Sequence, residues 1–184
     1  MSEYELKKGR PQEESKRLAK EIRVYDFLEK LSVPFERIDH EPLMTMEACR
    51  EAEKNFDGQI CKNLLLRNQQ KTKFYLLMLP GEKKFKTKEL SAQIQSARLS
   101  FAEAEYMEQF LDITPGSLSV LGLMNDCEGN VQLLIDEETA AEEFLGVHPC
   151  INTSTLRIRT ADLLGKIIPA TGHEYRLVKL VGEP

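Results

Sequence analysis

The sequence predicts an α/β protein with a mixed β-sheet and helices packed around it. Segments typical of strands and of helices interleave along the 184 residues, and several strand segments are joined by short polar turns, as in hairpins. Hairpins join antiparallel strands, so their presence among the interleaved strands and helices argues against a doubly wound parallel sheet. A hydrophobic content of 41% without internal repeats allows one substantial core, so one domain is expected.

The N-terminal part predicts a polar tail followed by a helix. Residues 1–14 are expected to be a flexible segment, and the domain is expected to span residues 15–184. A helix with Ser15 as its N-cap is indicated by one apolar face, formed by Leu18, Ile22, Tyr25, Leu28 and Leu31. The alternation in "PFERID" then predicts a strand, and Thr45 is expected to cap a short helix through Ala52.

The middle of the chain predicts a hairpin, because two apolar segments, "QICKNLLLR" and "KFYLLMLP", flank the polar turn "NQQKT". A helix capped by Thr87, a brief strand "LSFA" and a helix "EAEYMEQFLD" follow. The last third predicts a strand "NVQLLID", a helix "DEETAAEEFL" capped by Asp136, and a strand–turn–strand unit "HPCINTSTLRIR". A helix "TADLLGKII" and a strand in "TGHEYRLVKL" complete the order.

Composition excludes several classes of function. No apolar run reaches the roughly 18 residues of a membrane span, and the polar N-terminus lacks the core of a signal peptide, so a cytoplasmic protein without membrane contact is expected. A net charge of −5 argues against a general nucleic-acid binder, and no DNA partner is expected. The four cysteines form no CxxC pair or zinc spacing, which indicates reduced thiols and no metal site.

The charge is nevertheless uneven. Residues 67–88 contain seven basic residues and one acidic residue, a net charge of +6. The basic residues are Arg67, Lys71, Lys73, Lys83, Lys84, Lys86 and Lys88. This segment could contact phosphates, or it could be a solvated loop and hairpin edge, and both interpretations stay open.

No GxGxxG, P-loop, GxSxG or HExxH motif is present, but three segments could carry chemistry. Lys62 lies near the start of a predicted buried strand whose apolar run follows Asn63, and lysine is rarely buried unless it is paired. The segment "PGSLS", residues 115–119, contains a glycine that lets backbone N–H groups approach an oxyanion. His148 lies between a predicted helix and a strand. Each of the three also has a purely structural interpretation. Lys62 could be a lysine at a sheet edge, residues 115–119 could form an ordinary turn, and His148 could be a structural histidine.

Six segments in order, "CKNLLLRN", "YLLMLPGEKKF", "LSFAEAEYMEQFL", "PGSLSVLGLMND", "HPCINTST" and "ADLLGKIIPATGHEY", resemble the YbaK/prolyl-tRNA synthetase-associated domain family. The resemblance covers about residues 20–178 and favours its freestanding prolyl-tRNA editing members. It implies a single compact domain whose curved mixed sheet is surrounded by helices. It also implies hydrolysis of the ester between a wrong amino acid and the tRNA 3′ end, without a metal or other cofactor.

The resemblance also implies roles for individual residues. Lys62 would anchor the phosphate and ribose of the terminal adenosine, Gly116 and Ser117 would form a carbonyl-binding loop, and His148 would line the aminoacyl pocket. Val120 stands where the family's loop ends in proline. Further substrate contacts are expected from Asn63, Thr45, Leu118, Asn152, Lys83 and Lys84.

The expected function is therefore that of a trans-editing deacylase that hydrolyses Ala-tRNA(Pro). The expected partners are the acceptor end of aminoacylated tRNA and, as a candidate, prolyl-tRNA synthetase. Two alternatives stay open. The mischarged residue could be cysteine, serine or another small amino acid, or the domain could be a non-catalytic module that binds tRNA or a synthetase, which the departure at Val120 favours.

Overall fold

The computed structural model describes residues 4–42 and 46–182, apart from the side chains of residues 46–49. The described chain contains one nine-stranded mixed sheet. Its strands are β1 (Lys7–Lys8), β2 (Glu36–Asp39), β3 (Gln59–Asn68), β4 (Phe74–Pro80), β5 (Leu99–Phe101), β6 (Val131–Asp136), β7 (Phe144–Val147), β8 (Ser154–Arg159) and β9 (Tyr175–Val178). The predicted α/β class with a mixed sheet is confirmed.

Helices pack around this sheet. They are α1 (Ala19–Lys30), α2 (Met46–Glu53), α3 (Thr87–Gln93), α4 (Ala104–Leu111), a 3-10 helix (Val120–Asn125), α5 (Glu137–Ala141), and a C-terminal run of α6 (Thr160–Asp162), a π-helical turn (Leu163–Ile167) and α7 (Ile168–Ala170). Within the described ranges, no helix is long and apolar enough to cross a membrane.

Strand β3 is central to the sheet, whose order is β1-β2-β8-β7-β3-β4-β6-β9, with β5 also paired to β3. One edge of β3 pairs with β4 in the predicted antiparallel hairpin. The other edge pairs with β7 at Gln59 and Ile60, and with β5 from Leu66 to Asn68. Between these two partners, no described strand pairs with residues 61–64 on that edge. The interruption opens the sheet beside Lys62.

Alternation along β3 assigns its side chains to two cores, because successive residues of a strand point to opposite faces. Cys61 and Leu65 belong to the main core, which also contains the buried face of α1. Leu64 and Leu66 pack in a second core with residues of β4 and α3. Lys62 therefore lies on the face of the second core, and Asn63 lies on the face of the main core.

The predicted start of α1 is wrong. The helix begins at Ala19 after Leu18, which makes no side-chain capping bond, and the Ser15 hydroxyl donates to Glu13 instead. Leu18 is 57% exposed, whereas Glu21 is buried because its carboxylate accepts hydrogen bonds from Tyr25 and Arg17. The periodicity of the apolar residues assigned Leu18 to the core, but the structure buries the hydrogen-bonded side chain of Glu21 instead.

Two further boundaries differ from the prediction. Thr87 is the first residue of α3 rather than its cap, and Lys86 before it makes no side-chain capping bond. The helix capped by Asp136 ends at Ala141, and Phe144–Val147 form β7 next to β3. The cap itself is confirmed, because the Asp136 carboxylate accepts from the N–H of Glu138 at 2.9 Å. The cap predicted at Thr45 lies outside the described residues.

Part of the N-terminal segment contacts the domain. Strand β1 pairs with β2, and Arg10 forms ion pairs with Glu14, Asp26 and Glu29. These contacts attach residues 7–10 to the sheet and to α1. Flexibility of residues 1–14 as a whole stays a prediction.

Candidate active site

A cleft of about 740 Å³ opens where β3 leaves β7 and meets the end of β4. Lys62 from β3 and His148, which follows β7, both line it. Pro80, Gly81 and Glu82 form the wall after β4. The fold thus brings together two of the four residues predicted to be catalytic, and they reach the cleft because β3 and β7 are neighbouring strands.

The ammonium of Lys62 donates a hydrogen bond of 2.6 Å to the main-chain carbonyl oxygen of Lys83. No carboxylate within the described ranges forms an ion pair with it. Burial lowers the pKa of Lys62, because the charged form loses hydration. An ammonium has three donor hydrogens, so two remain for a ligand in the cleft.

Lys83 has a different place from the one predicted. Its ammonium lies 3.0 Å from Asp136 and 2.8 Å from Glu138, and it donates to the Leu180 carbonyl oxygen at 2.8 Å. The side chain is only 7% exposed. A buried ion pair thus occupies the ammonium for which a substrate contact was predicted, and that contact stays a prediction. Lys83 instead presents its main-chain carbonyl to Lys62, and the neighbouring Lys84 is exposed.

His148 is held in one tautomer. Its Nδ1 lies 2.9 Å from the Ser154 carbonyl oxygen, which can only accept, so Nδ1 carries the hydrogen and Nε2 carries the lone pair. Burial is the main cause that lowers the pKa of His148. The imidazole is thereby kept neutral near pH 7, with an acceptor available for a ligand.

His40 is a neighbour that the sequence did not single out. Its ring centroid lies 6.2 Å from that of His148, in an edge-on arrangement. Thr155 joins the two rings, since its hydroxyl donates to His40 Nε2 at 2.8 Å and lies 3.5 Å from His148 Nδ1. Burial also lowers the pKa of His40. Each histidine directly follows a strand that pairs with β8, a relationship that the sequence did not show.

The residues of the glycine loop are not among those that line the cleft. Gly116 has φ +91°, and a Cβ at this position would lie 3.5 Å from Asn152 Nδ2. The N–H of Ser117 donates to the Thr114 carbonyl oxygen at 3.1 Å, so this predicted oxyanion donor is engaged in a turn. Leu118 packs in the main core. The loop and Asn152 are thus neighbours, but neither lines the cleft.

Asn63 carries an unsatisfied acceptor. Its Nδ2 donates weakly to the Cys61 carbonyl oxygen at 3.4 Å, and its buried Oδ1 has no hydrogen-bond partner among the residues that the structure describes. Leaving such an atom unpaired costs about 1–3 kcal/mol. The predicted substrate contact at Asn63 therefore has an acceptor to offer, although it lies on the face opposite to Lys62. Thr45, the other predicted contact near this strand, lies outside the described residues.

Carboxylates that no sequence pattern indicated also line the cleft. Glu53, Glu82 and Glu142 are among its lining residues, and Arg50 pairs with Glu82 at 2.7 Å. Glu53 accepts from the N–H of Ile60 at 3.1 Å, and burial is the main cause that raises the pKa of Glu53. A cleft wall that carries several carboxylates can bind a cationic amino group. Within the described ranges, no group of His, Cys, Asp and Glu side chains could hold a metal ion.

The basic segment of residues 67–88 is divided by the hairpin. Arg67 and Lys71 pair with Glu103 at the closed end. Residues 82–88 follow the open end, where Cys61 is paired with Pro80. Seven residues of β4 separate the two ends by roughly 20 Å. Of these two parts of the basic segment, only residues 82–88 lie beside the cleft, which Glu82 lines.

Comparison with known proteins agrees with this architecture. The model of the aminoacyl-tRNA editing domain family matches residues 40–166. The prolyl-tRNA editing protein ProX of Acetoanaerobium sticklandii is 29% identical over 153 residues, which cover 83% of this chain and 93% of that protein. Prolyl-tRNA synthetase associated domain-containing protein 1 of Mus musculus is 26% identical over 148 residues, covering 78% and 86%.

Solved structures support the fold. A structure described as a candidate trans-editing enzyme for prolyl tRNA synthetase superposes with a TM-score of 0.66 at 16% identity. The superposition covers 89% of this chain and 98% of that one. At this identity the likeness bears on the arrangement of the strands and helices alone.

Proposed function

Because the chain belongs to the aminoacyl-tRNA editing domain family, we propose that it hydrolyses the aminoacyl ester of mischarged Ala-tRNA(Pro) in trans. The observation that carries the proposal is that Lys62 and His148 line one cleft. Similarity to the prolyl-tRNA editing protein of A. sticklandii supports the choice of tRNA.

The physical need for such an enzyme follows from side-chain size. A synthetase pocket built for proline discriminates against a smaller side chain by only about 1–3 kcal/mol. A second site that admits alanine and excludes proline removes the remaining errors. The aminoacyl ester is already reactive, so the proposed hydrolysis uses no metal and no other cofactor.

In this proposal Lys62 binds the phosphate and ribose of the terminal adenosine through the two donor hydrogens that Lys83 leaves available. His148 lines the aminoacyl pocket and accepts a hydrogen bond at Nε2, either from the attacking water or from the substrate. The carboxylates of Glu53 and Glu142 face the same cleft and complement the charge of the amino group. Gly116 and Ser117 keep their predicted carbonyl-binding role on the strength of the family resemblance alone.

The test compares Ala-tRNA(Pro), Pro-tRNA(Pro) and Ala-tRNA(Ala) as substrates of the full chain. Selective loss of the aminoacyl group from Ala-tRNA(Pro) is expected, at an unchanged rate after treatment with a chelator. Hydrolysis of Pro-tRNA(Pro) at the same rate would contradict the proposed exclusion of proline. A rate that a chelator abolishes would contradict the metal-independent reaction.

Two alternatives are decided by the same assay. Faster hydrolysis of Cys- or Ser-tRNA(Pro) would assign another small amino acid to the pocket. A non-catalytic module that binds tRNA or prolyl-tRNA synthetase is favoured by Val120 and by the engaged N–H of Ser117. It is supported if the chain binds tRNA and leaves every ester intact.

A further inference from the structure

Phe101, the last residue of β5, is 59% exposed although it is a large aromatic side chain. Its ring meets the ring of Phe85 edge-on, with centroids 6.4 Å apart. Phe85 is partly buried against the second core. Phe101 is therefore held by a packed neighbour on one side and is open to solvent on the other.

The exposed ring lies on the same face of the sheet as Lys62. Phe101 is directly paired with Leu66 of β3, and paired residues of antiparallel strands project to the same face. Lys62 precedes Leu66 by four residues, about 13 Å along the strand, and also projects to this face. Residues 83–85 span the interval, since the Lys83 carbonyl accepts from Lys62 and the Phe85 ring contacts Phe101.

The segment that leads to Phe101 is basic in a chain whose net charge is −5. Residues 84–101 contain four basic residues and one acidic residue, Glu89, whose carboxylate accepts from the N–H of Val181. Lys84, Lys88 and Arg98 are exposed. Positive charge next to an exposed aromatic ring is the combination that binds single-stranded nucleic acid, because bases stack on the ring and cations neutralise phosphates.

We propose that Phe101, together with Lys84, Lys88 and Arg98, is the docking surface for the unpaired 3′ nucleotides of the tRNA substrate. The inference rests on the proposed function, because that function places the terminal adenosine at Lys62. The nucleotides before it run along the second-core face toward Phe101, where one base stacks on the open side of the ring. The flanking cations meet the phosphates of the same strand.

The first experiment measures the Kd of two uncharged tRNA(Pro) transcripts, one complete and one trimmed of its unpaired 3′ nucleotides, by fluorescence anisotropy. Phe101→Leu keeps an apolar cover over Leu66 and removes the stacking ring. It is expected to weaken binding of the complete transcript by about 5- to 150-fold and to leave the trimmed transcript unaffected. Tyr175→Leu is the matched control, because Tyr175 is 39% exposed on β9, three strands away from β3.

The second experiment tests the cations. Lys84→Gln is expected to reduce the slope of log Kd against log salt by about 0.7, the value for one neutralised single-strand phosphate. Lys73→Gln is the matched control, because Lys73 is exposed at the closed end of the hairpin. An unchanged slope in Lys84→Gln, or an equal change in both variants, contradicts the assignment of this cation.

The proposal is overturned if the unmodified protein binds both transcripts equally, or if Phe101→Leu weakens both to the same extent. It is also overturned if Phe101→Leu changes the sedimentation of the protein without changing its affinity for RNA, since Phe101 would then be a contact between copies of the chain. The binding assay uses uncharged tRNA, so failure of the docking surface is measured separately from failure of ester hydrolysis.

Discussion

The ammonium of Lys62 and the main-chain carbonyl of Lys83 are joined by a hydrogen bond of 2.6 Å at the wall of the cleft. The side chain of Lys83 points away from the cleft and is fixed by Asp136, which is 1% exposed. Lys62 and Lys83 therefore have different roles, which the sequence alone does not distinguish. One presents its charge to the cleft, and the other uses its charge to hold the carbonyl that orients the first.

Lys62→Ala is expected to fold normally and to lower the rate of deacylation by about 100-fold or more, comparable to the loss of one charge-stabilising donor. The reason is that the cleft loses the ammonium proposed to bind the terminal adenosine. Single-turnover deacylation of Ala-tRNA(Pro) measures the effect, with Lys73→Ala as the control for loss of a lysine charge. Full activity of Lys62→Ala would exclude it from the site.

Asp136→Asn is expected to lower the free energy of unfolding by about 3–5 kcal/mol, because it leaves the buried ammonium of Lys83 without its main partner. Glu138→Gln removes the other carboxylate of the same cluster, but Glu138 is 66% exposed, so a loss of less than about 1 kcal/mol is expected. Urea unfolding of both variants measures the difference. Equal losses would mean that burial of the pair does not govern its contribution.

The local part of this arrangement could be predicted from the sequence. The apolar runs and polar turn of β3 and β4 predicted their hairpin, and Asp136 was predicted correctly as a helix cap. The pairing of Lys83 with Asp136 could not be predicted, because 53 residues separate them and only the parallel contact of β4 with β6 brings them together. The same limit applies to His40 and His148, which meet through the strand that carries Thr155.

The unfolding free energy is expected to fall as the pH is lowered through the range of histidine titration. Burial lowers the pKa of His148 and His40 in the folded state, so below about pH 6.5 the unfolded chain binds more protons and is favoured. Each histidine contributes up to about 1.4 kcal/mol per pH unit in this window. Urea unfolding between about pH 7.5 and 5.5 measures the slope.

His148→Gln serves as the control for this pH dependence, because it removes one of the two titrating rings and keeps a polar side chain. Its slope is expected to be smaller than that of the unmodified protein. A direct NMR titration of both rings provides the independent reading. An identical slope in the variant, or a titration of His148 above pH 6.5, would contradict the buried neutral ring.

Gly116→Ala tests the loop that the family resemblance assigns to the reaction. The added Cβ has room, since its nearest neighbour, Asn152 Nδ2, is 3.5 Å away, but φ +91° is strained for alanine and costs about 1–3 kcal/mol. Gly129→Ala is the matched control, because Gly129 has φ +70° and nothing within 4 Å of a Cβ. If the loop binds the carbonyl, Gly116→Ala lowers deacylation and Gly129→Ala does not, although both lose similar stability. Equal activity of the two variants would leave Lys62 and His148 as the site and remove the loop from it.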